Sequence, residues 1–175
     1  MEINLQPFPV LVTERLILRQ LSTEDKHEIF FLRSDSQVNE FLVAPLAKTI
    51  RDAEDFINKI NTATDNNESV YWAITLNTET RLIGTICIWN ISHQESKAEI
   101  GYVLHPAFQG LGLMQEALTT TIRYGFEIMH LHLMEAVLHP ENKRSIRLLE
   151  RNGFSYNRSE EDSLFYSLAA SEIQA

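Results

Sequence analysis

Hydrophobic positions follow two different spacings along this chain, and in its first third they predict one short strand followed by helices. Residues 14–20 predict the strand, and residues 22–25 have capping-box spacing ahead of an amphipathic helix. A second helix is predicted near residues 37–42. A third begins after Thr49, where the same capping spacing precedes apolar residues at helical intervals.

The rest of the chain changes from strand-like to mixed patterns. β-Branched and aromatic residues at 70–76, 82–91 and 97–104, separated by short polar turns, predict a three-stranded antiparallel meander. From Met114 to Met129 apolar residues recur three and four positions apart, which predicts a long helix with one buried stripe. The last predicted elements are a strand, a helix and two strands, at residues 133–138, 142–152, 154–158 and 163–168.

This order predicts an α/β (α+β) fold: a mixed, mostly antiparallel sheet with helices on both faces. The long helix joins strands 97–104 and 133–138, so a βαβ unit makes them parallel neighbours near the sheet centre. Both strands end in Leu-His-Pro, at residues 104–106 and 138–140. Because proline cannot donate to a ladder, we expect pairing to end there and the strand ends to splay into a slot for a long, thin ligand.

Composition and charge narrow the range of functions. The 175 residues are 44% hydrophobic and 22% charged, without repeats, so residues 1–175 are predicted to form one domain. The net charge is −9 and no basic stripe is present, which argues against a nucleic-acid partner. No run approaches the roughly 18 to 20 apolar residues of a membrane span.

Cysteine and histidine usage argues against disulfides and metal sites. Cys87 is the only cysteine, and its apolar neighbours predict a small buried hydrophobe rather than a nucleophile. His130 and His132 have no third ligand near them in the sequence, so no metal is expected. A single cysteine suits a reducing compartment, and we therefore assign the protein to the cytoplasm.

The glycine-bearing turn before the long helix is the first candidate binding site. Gly110 and Gly112 lie where a predicted strand is followed by a helix, and the free N–H groups and helix dipole at such a turn can hold phosphate oxygens. The Gly-Lys-Ser/Thr ending of an ATPase loop is missing, and Gln115 stands where the dinucleotide fingerprint needs glycine. The alternative is a plain connection between strand and helix.

Glu99 is the candidate general base. Alternation along strand 97–104 places Glu99, Gly101 and Val103 on one face, and Gly101 leaves room beside the carboxylate. A carboxylate in mid-strand near the slot can take a substrate proton directly or through water. The alternative is an exposed polar position without a chemical role.

Three residues share one face of the predicted helix at 142–152. Asn142, Ser145 and Leu149 have the spacing i, i+3 and i+7, so Asn142 and Ser145 can point to the same ligand. The alternative is that Asn142 only caps the helix and Ser145 is a polar residue of its first turn.

Four segments, in this order, resemble the GNAT N-acetyltransferases, and in particular the Rim-type branch that includes ribosomal-protein N-terminal acetyltransferases. They are residues 13–19, 99–102, 109–112 and 142–154, and the resemblance extends over residues 10–168. It implies the GNAT fold and acetyl-coenzyme A (acetyl-CoA) as the acetyl donor.

The resemblance also implies roles for individual residues. The resemblance implies that the pantetheine arm lies along the strand end and the pyrophosphate in the turn, with Asn142 as a further contact. The residues of the strand end are Tyr102, Val103 and Leu104, and those of the turn are Gln109, Gly110, Leu111, Gly112, Leu113 and Met114. Many relatives place a tyrosine where Leu149 stands, and the Rim-type branch implies Ser145 as the group that protonates the departing thiolate. Met114 replaces a small residue of the family turn, so only its backbone is carried over.

These residues predict an N-acetyltransferase that works through a ternary complex. Glu99 removes the amine proton, a strand amide near Val103 holds the oxyanion, and Ser145 protonates the thiolate. At pH 7 deprotonation costs about 1 kcal/mol for an α-amine with a pKa near ~8, but about 4 to 5 kcal/mol for a lysine near ~10.4.

A protein N-terminal α-amine is therefore the predicted acceptor, and the acidic balance suits a basic protein N-terminus. An antibiotic or a polyamine is the alternative acceptor, and a non-catalytic acyl-CoA-binding or partner-binding module is the alternative class. The sequence leaves the oligomeric state open, a homodimer included.

Overall fold

The computed structural model describes residues 3–42 and 44–173. Within these residues the strands form one eight-stranded sheet in the order β1-β2-β3-β4-β5-β6-β8-β7, antiparallel except between β5 and β6. The strands are β1 Leu11–Val12, β2 Leu16–Gln20, β3 Val70–Leu76, β4 Leu82–Ser92, β5 Lys97–Leu104, β6 Leu133–Leu138, β7 Ser155–Glu160 and β8 Ser163–Ala169. The α-helices are α1 Lys26–Ser34, α2 Ile50–Asp65, α3 Leu113–Glu127 and α4 Lys143–Arg151.

The predicted fold class is confirmed, and so is the meander of β3, β4 and β5. The capping-box prediction for α2 is also confirmed, because Thr49 caps the helix and exchanges hydrogen bonds with Asp52. Helix α4 is capped by Asn142 and followed by Gly153 with φ +87°. Strand β2 starts at Leu16, two residues later than predicted.

The predicted helix at residues 37–42 is wrong, since this segment consists of turns. Oδ1 of Asp35 accepts the backbone N–H groups of the second and third residues after it, both at 2.9 Å. Nδ2 of Asn39 donates to the carbonyls of Leu32 and Asp35, both at 2.8 Å. These local bonds occupy the backbone groups that a helix would use, so the chain turns instead.

Two apolar clusters cover the two faces of the sheet. Helices α3 and α4 pack on one face through residues such as Leu118 and Leu149, and α1 and α2 pack on the other through Ile29 and Ile57. Helix α3 lies very close to the sheet at Gly125, where a Cβ atom would clash with the Met134 methyl group. Full burial of one such aliphatic side chain contributes about 1.5 to 3 kcal/mol.

The face that carries α1 and α2 stays open around β6 and β8. Val137, paired with Phe165 of β8, is 42% exposed, and Trp89 at the far end of β4 is 47% exposed. We call this surface, around Trp89, Glu99, Glu135, Val137 and Phe165, the open face. It adjoins the place where β5 and β6 separate.

Strands β5 and β6 pair over only three residues each, the last pair being Glu99 with Glu135. Beyond it β5 stays paired with β4 as far as Leu104, and β6 with β8 as far as Leu138. The predicted splay is therefore present, but it begins five residues before the end of β5, so proline does not cause it. Each strand follows its outer neighbour while the sheet twists, and this separates the two strand ends. We call the space between them the gap.

Candidate active site

Main-chain amides of β5 face the gap. The N–H of His105 donates to a β4 carbonyl at 2.8 Å, so by alternation the backbone of odd-numbered β5 residues faces β4. Tyr102 and Leu104 therefore direct their N–H groups towards the gap. The amide of Val103 belongs to the β4 ladder. An oxyanion donor near Val103, as predicted, would therefore have to be the amide of Tyr102 or Leu104.

The predicted phosphate-binding turn, residues 109–114, has free amides and two left-handed glycines. Gly110 has φ +78° and Gly112, the residue before α3, has φ +76°. The N–H of Glu116 is bonded to the Gly112 carbonyl, so the amides of residues 113–115 precede the first helical bond. Anions are stabilised at such a terminus. We call residues 109–114 the loop.

The side chains of the loop divide between solvent and core. Leu111 is 58% exposed, whereas Leu113 and Met114 are buried at 4% and 8%. The two buried side chains anchor the start of α3 in the core cluster. Only the main-chain groups of Leu113 and Met114 are therefore available to a ligand.

Arg15 and Glu116 hold the loop in place through a hydrogen bond and an ion pair. Nη1 of Arg15 donates to the Leu111 carbonyl at 2.9 Å, and its Nε is 2.7 Å from Oε2 of Glu116. Burial acts to raise the pKa of Glu116, but hydrogen bonds from Thr13 and Arg15 outweigh it and hold the pKa below the ordinary value. Sequence reasoning missed this support, because the interacting residues lie about a hundred positions apart.

Gln109 connects the loop to α4. Its Nε2 donates to the Leu104 carbonyl at 3.1 Å, and its Oε1 accepts from Nη1 of Arg144 at 2.7 Å. The predicted ligand contact thus uses both ends of its side chain within the protein. Arg144 is exposed, and this bond holds its guanidinium beside the loop. Its charge favours an anionic ligand there.

Ser145 and Tyr102 come together on the α3 and α4 face. Burial raises the pKa of Tyr102 to about 12, and hydrogen bonding to Ser145 offsets part of that rise. Oδ1 of Asn142 accepts the N–H of Ser145 at 3.2 Å, so Asn142 is the helix cap. Leu149 is 1% exposed and belongs to the core.

Glu99 lies on the opposite face, where its partner is a residue that sequence reasoning missed. Nδ2 of Asn90 donates to Oε1 of Glu99 at 2.6 Å. Asn90 has φ +49° and lies in an irregularity of β4 between Trp89 and Ser92. A bulge redirects side chains, and here it directs a carboxamide at the carboxylate.

The cross-strand neighbours of Glu99 shape the open face. Trp89 is paired with Glu99, and its Nε1 would be 3.7 Å from a Cβ atom on Gly101. On the other side, Glu135 is paired with Arg158 at 3.4 Å and lies 3.9 Å from Lys97. Two basic groups thus offset the charge of Glu135, and Glu99 is the carboxylate of this pair without a basic partner in the described residues.

The candidate site therefore has the Glu99 carboxylate on one face of the sheet, Ser145 and Tyr102 on the other, and strand amides in the gap between them. The loop lies beyond the end of β5, where the phosphates of a nucleotide-bearing arm can be held by main-chain amides. This arrangement fits transfer of an acyl group between a thioester and an amine.

Comparison with known proteins identifies the family of this chain. The model of the acetyltransferase (GNAT) domain matches residues 15–155, so the chain belongs to the GNAT acetyltransferase family and uses acetyl-CoA. An uncharacterized N-acetyltransferase of Bacillus subtilis, YoaA, is 31% identical over 147 residues, covering 84% of this chain and 83% of that protein.

The relatives include the Rim-type branch. The ribosomal protein uS5-alanine N-acetyltransferase of Escherichia coli is 29% identical over 153 residues, which cover 82% of this chain and 77% of that enzyme. A GNAT-family acetyltransferase from Bacillus anthracis has a similar crystal structure, with a TM-score of 0.82, 26% identity and coverage of 94% of this chain and all of that one. The predicted family and enzyme class are confirmed.

Other predictions concern metals, thiols and membranes. In residues 3–42 and 44–173 no three His, Cys, Asp or Glu side chains are grouped as a metal ion would require. Cys87 is buried, as predicted, and burial raises the pKa of its thiol to about 12. Among the helices of the described chain, none combines the length and the hydropathy of a membrane span.

Proposed function

We propose that this N-acetyltransferase acetylates the α-amine of a protein N-terminus. The observation that carries the proposal is the position of Glu99, a carboxylate held by Asn90 at the edge of the gap on the open face. A carboxylate is a weak base, so it suits an α-amine, whose deprotonation at pH 7 costs about 3 kcal/mol less than that of lysine.

The open face suits an extended peptide. Trp89 and Val137 expose apolar area on either side of Glu99, and the guanidinium carbon of Arg158 lies 3.9 Å from the ring centroid of Phe165 beside them. The net charge of −9 favours a basic acceptor segment. The match with a ribosomal-protein alanine acetyltransferase over most of the chain supports the same class of acceptor.

In the proposed reaction the amine nitrogen bonds to the thioester carbon, and Glu99 accepts the proton that the amine loses. The N–H groups of Tyr102 and Leu104 face the gap and are the donors available to the oxyanion. When the carbon–sulfur bond breaks, Ser145 passes its hydroxyl proton to the thiolate and takes a proton from solvent in its place, so the serine stays neutral. Tyr102 hydrogen-bonds to Ser145. Tyr102, with a pKa of about 12, stays protonated while a thiol near ~8.5 ionises, so it acts as a hydrogen-bond donor.

We place this reaction in the cytoplasm, where the buried thiol of Cys87 stays reduced and newly made proteins are available. Residues 109–114 are proposed to hold the pyrophosphate of acetyl-CoA and the gap its pantetheine arm. Residues 1–175 are proposed to act as one catalytic domain.

The test is a thiol-release assay with purified protein, acetyl-CoA and matched acceptors. Peptides with a free α-amine should release thiol, and the same peptides with a blocked N-terminus and a free lysine should not. Release with a polyamine or an aminoglycoside alone would replace the proposed acceptor. Binding of acetyl-CoA without release for any amine would indicate a non-catalytic module. Mass spectrometry of protein N-termini from a strain lacking the gene would then identify the acceptor.

A further inference from the structure

The two Leu-His-Pro segments end the separated strands with the same side-chain arrangement. Nδ1 of His105 accepts the N–H of Ala107 at 3.1 Å, and Nδ1 of His139 accepts the N–H of Glu141 at 3.2 Å. Because Nδ1 is an acceptor in both, the proton of each neutral ring is on Nε2. Both imidazoles are therefore fixed in orientation at the ends of β5 and β6.

Each imidazole stacks on a phenylalanine, one in the last turns of α1 and one in the turns that follow it. Phe31 lies against His105 with ring centroids 4.5 Å apart and planes at 25°. Phe41 lies against His139 with centroids 5.6 Å apart and planes at 24°. His105 follows β5 and His139 follows β6, so the two stacks attach one segment to both sides of the gap. We call this segment, residues 31–41, the bridge.

The bridge has a defined internal structure and is attached to its surroundings. Asn39 and Asp35 close its turns with the side-chain hydrogen bonds described above. The guanidinium carbon of Arg33 lies 3.9 Å from the ring centroid of Phe56 in α2, and the Arg33 carbonyl accepts the N–H of Ala47 at 2.9 Å. The bridge is therefore held in place by these attachments, and its position limits the space for a molecule that binds beside it.

We propose that His105 and His139 are positioning residues that hold the bridge across the outer end of the gap, so that the bridge restricts acceptors to narrow, extended amines. This inference rests on the proposed acetylation of amines. An acceptor must reach Glu99 from the open face, because both sides of the outer end are joined by the bridge. An unbranched peptide end can pass along this face, whereas a branched polycyclic amine would meet the bridge. Glu40 and Glu141, exposed on either side of the Phe41 stack, favour a cationic acceptor.

The test uses His105→Asn and His139→Asn, singly and together. An asparagine oxygen can still accept the N–H two residues on, as in an Asx turn, but it has no ring to stack. Phe41→Leu removes the opposite ring of one stack. Tyr156→Leu, an exposed aromatic on the edge strand β7, is the matched control.

We expect the double variant to raise KM for the peptide about tenfold, because two aromatic stacks are lost. KM for acetyl-CoA should change less than about twofold, and branched amines should become better acceptors relative to the peptide. Phe41→Leu should reproduce the His139→Asn effect, and Tyr156→Leu should match the wild-type enzyme. Amide hydrogen exchange of residues 35–42 should become faster in the double variant.

Two results would overturn the proposal. Unchanged peptide KM and unchanged exchange of residues 35–42 would show that the stacks do not position the bridge. A parallel rise of both KM values with a general loss of stability would show a purely structural role. If no amine is accepted, the proposed function fails by itself, and the exchange measurement still decides whether the histidines hold the bridge.

Discussion

Asn90 and Glu99 are joined by a 2.6 Å hydrogen bond from a carboxamide to a carboxylate, across the two strands β4 and β5. The bond exists because Asn90 adopts φ +49°, a conformation that asparagine tolerates better than most residues. It fixes Oε1 of Glu99 and leaves Oε2 for a substrate proton. Asn90, a residue outside the gap, therefore determines the orientation of the proposed base.

Asn90→Gly should remove the carboxamide without straining the backbone, since glycine accepts a positive φ. We expect kcat to fall about tenfold, in line with the loss of a hydrogen bond to a charged group, while KM for acetyl-CoA is retained. Glu99→Gln should lower kcat by about 10²-fold or more. Thiol release at saturating substrates measures both. A wild-type kcat for Asn90→Gly would show that the carboxylate needs no orienting partner.

Ser145→Ala should slow release of the thiol without weakening acetyl-CoA binding. Tyr102→Phe should have a smaller effect in the same direction, because its hydroxyl acts through Ser145. The two changes combined should cost no more than Ser145→Ala alone, as expected for groups that act as one unit. Additive losses in single-turnover experiments would indicate two separate roles.

Substitution of the loop glycines should affect both conformation and binding. Gly110→Ala and Gly112→Ala each force a non-glycine residue to φ near +77°, and each should destabilise the protein by about 1 to 2 kcal/mol. Neither added Cβ atom would clash, because the nearest atom at position 112 is Nη2 of Arg15 at 3.5 Å and none lies within 4 Å at position 110. Both changes should therefore raise KM for acetyl-CoA by redirecting the loop amides. Thermal unfolding and steady-state kinetics measure the two effects.

The control for the loop glycines is Gly153→Ala. Gly153 has φ +87° after α4, so the same strain is introduced away from the loop. It should lower the melting temperature but leave KM for acetyl-CoA unchanged. An equal KM change in all three variants would contradict a specific role for the loop.

Stability at acid pH should depend on Glu116. Its folded-state pKa lies below the ordinary value of 4.5, so its contribution is present above that value and is lost as the pH falls through the lower folded-state pKa. Glu116→Gln should therefore lower the melting temperature at pH 7 and make less difference at about pH 3. A difference independent of pH would mean that packing, and not the charge, supports the loop.

Thr121 offers a stabilising change in α3. It is fully buried, and its hydroxyl is without a hydrogen-bond partner in the described structure. Thr121→Val keeps the shape and removes the unpaired group, so stability should rise by about 1 kcal/mol. Thr75→Val is the matched control, because the buried Thr75 hydroxyl donates to the Ile17 carbonyl at 3.3 Å and its loss should destabilise. Denaturant titration compares the two.

Local pattern predicted much of the fold, and it failed where distant contacts decide the structure. The bounds of β5 and the face of Glu99 follow from β-branched composition and alternation alone. The predicted helix at residues 37–42 failed because Asp35 and Asn39 bind nearby backbone groups. The start of the gap was misplaced because the prolines are visible in the sequence, whereas the loss of pairing arises from ladders with outer strands.

The residues that support the site could not be predicted from the sequence either. The Arg15 and Glu116 ion pair and the Asn90 bond depend on strand order and on a β4 irregularity, neither of which leaves a signal in spacing. The two Leu-His-Pro segments were visible, but residue spacing carries no sign that Phe31 and Phe41 stack on their histidines.

The short ladder between β5 and β6 makes the sheet two sub-sheets that meet along a narrow seam. A cut in the connection at residues 128–132 would leave every other strand pair inside one fragment, with β1 to β5 and the first three helices on one polypeptide. The contacts of α3 with Met134 and Asn152 would remain as the means of reassociation. The enzyme is thus built from two sub-sheets, and the candidate site lies where they meet.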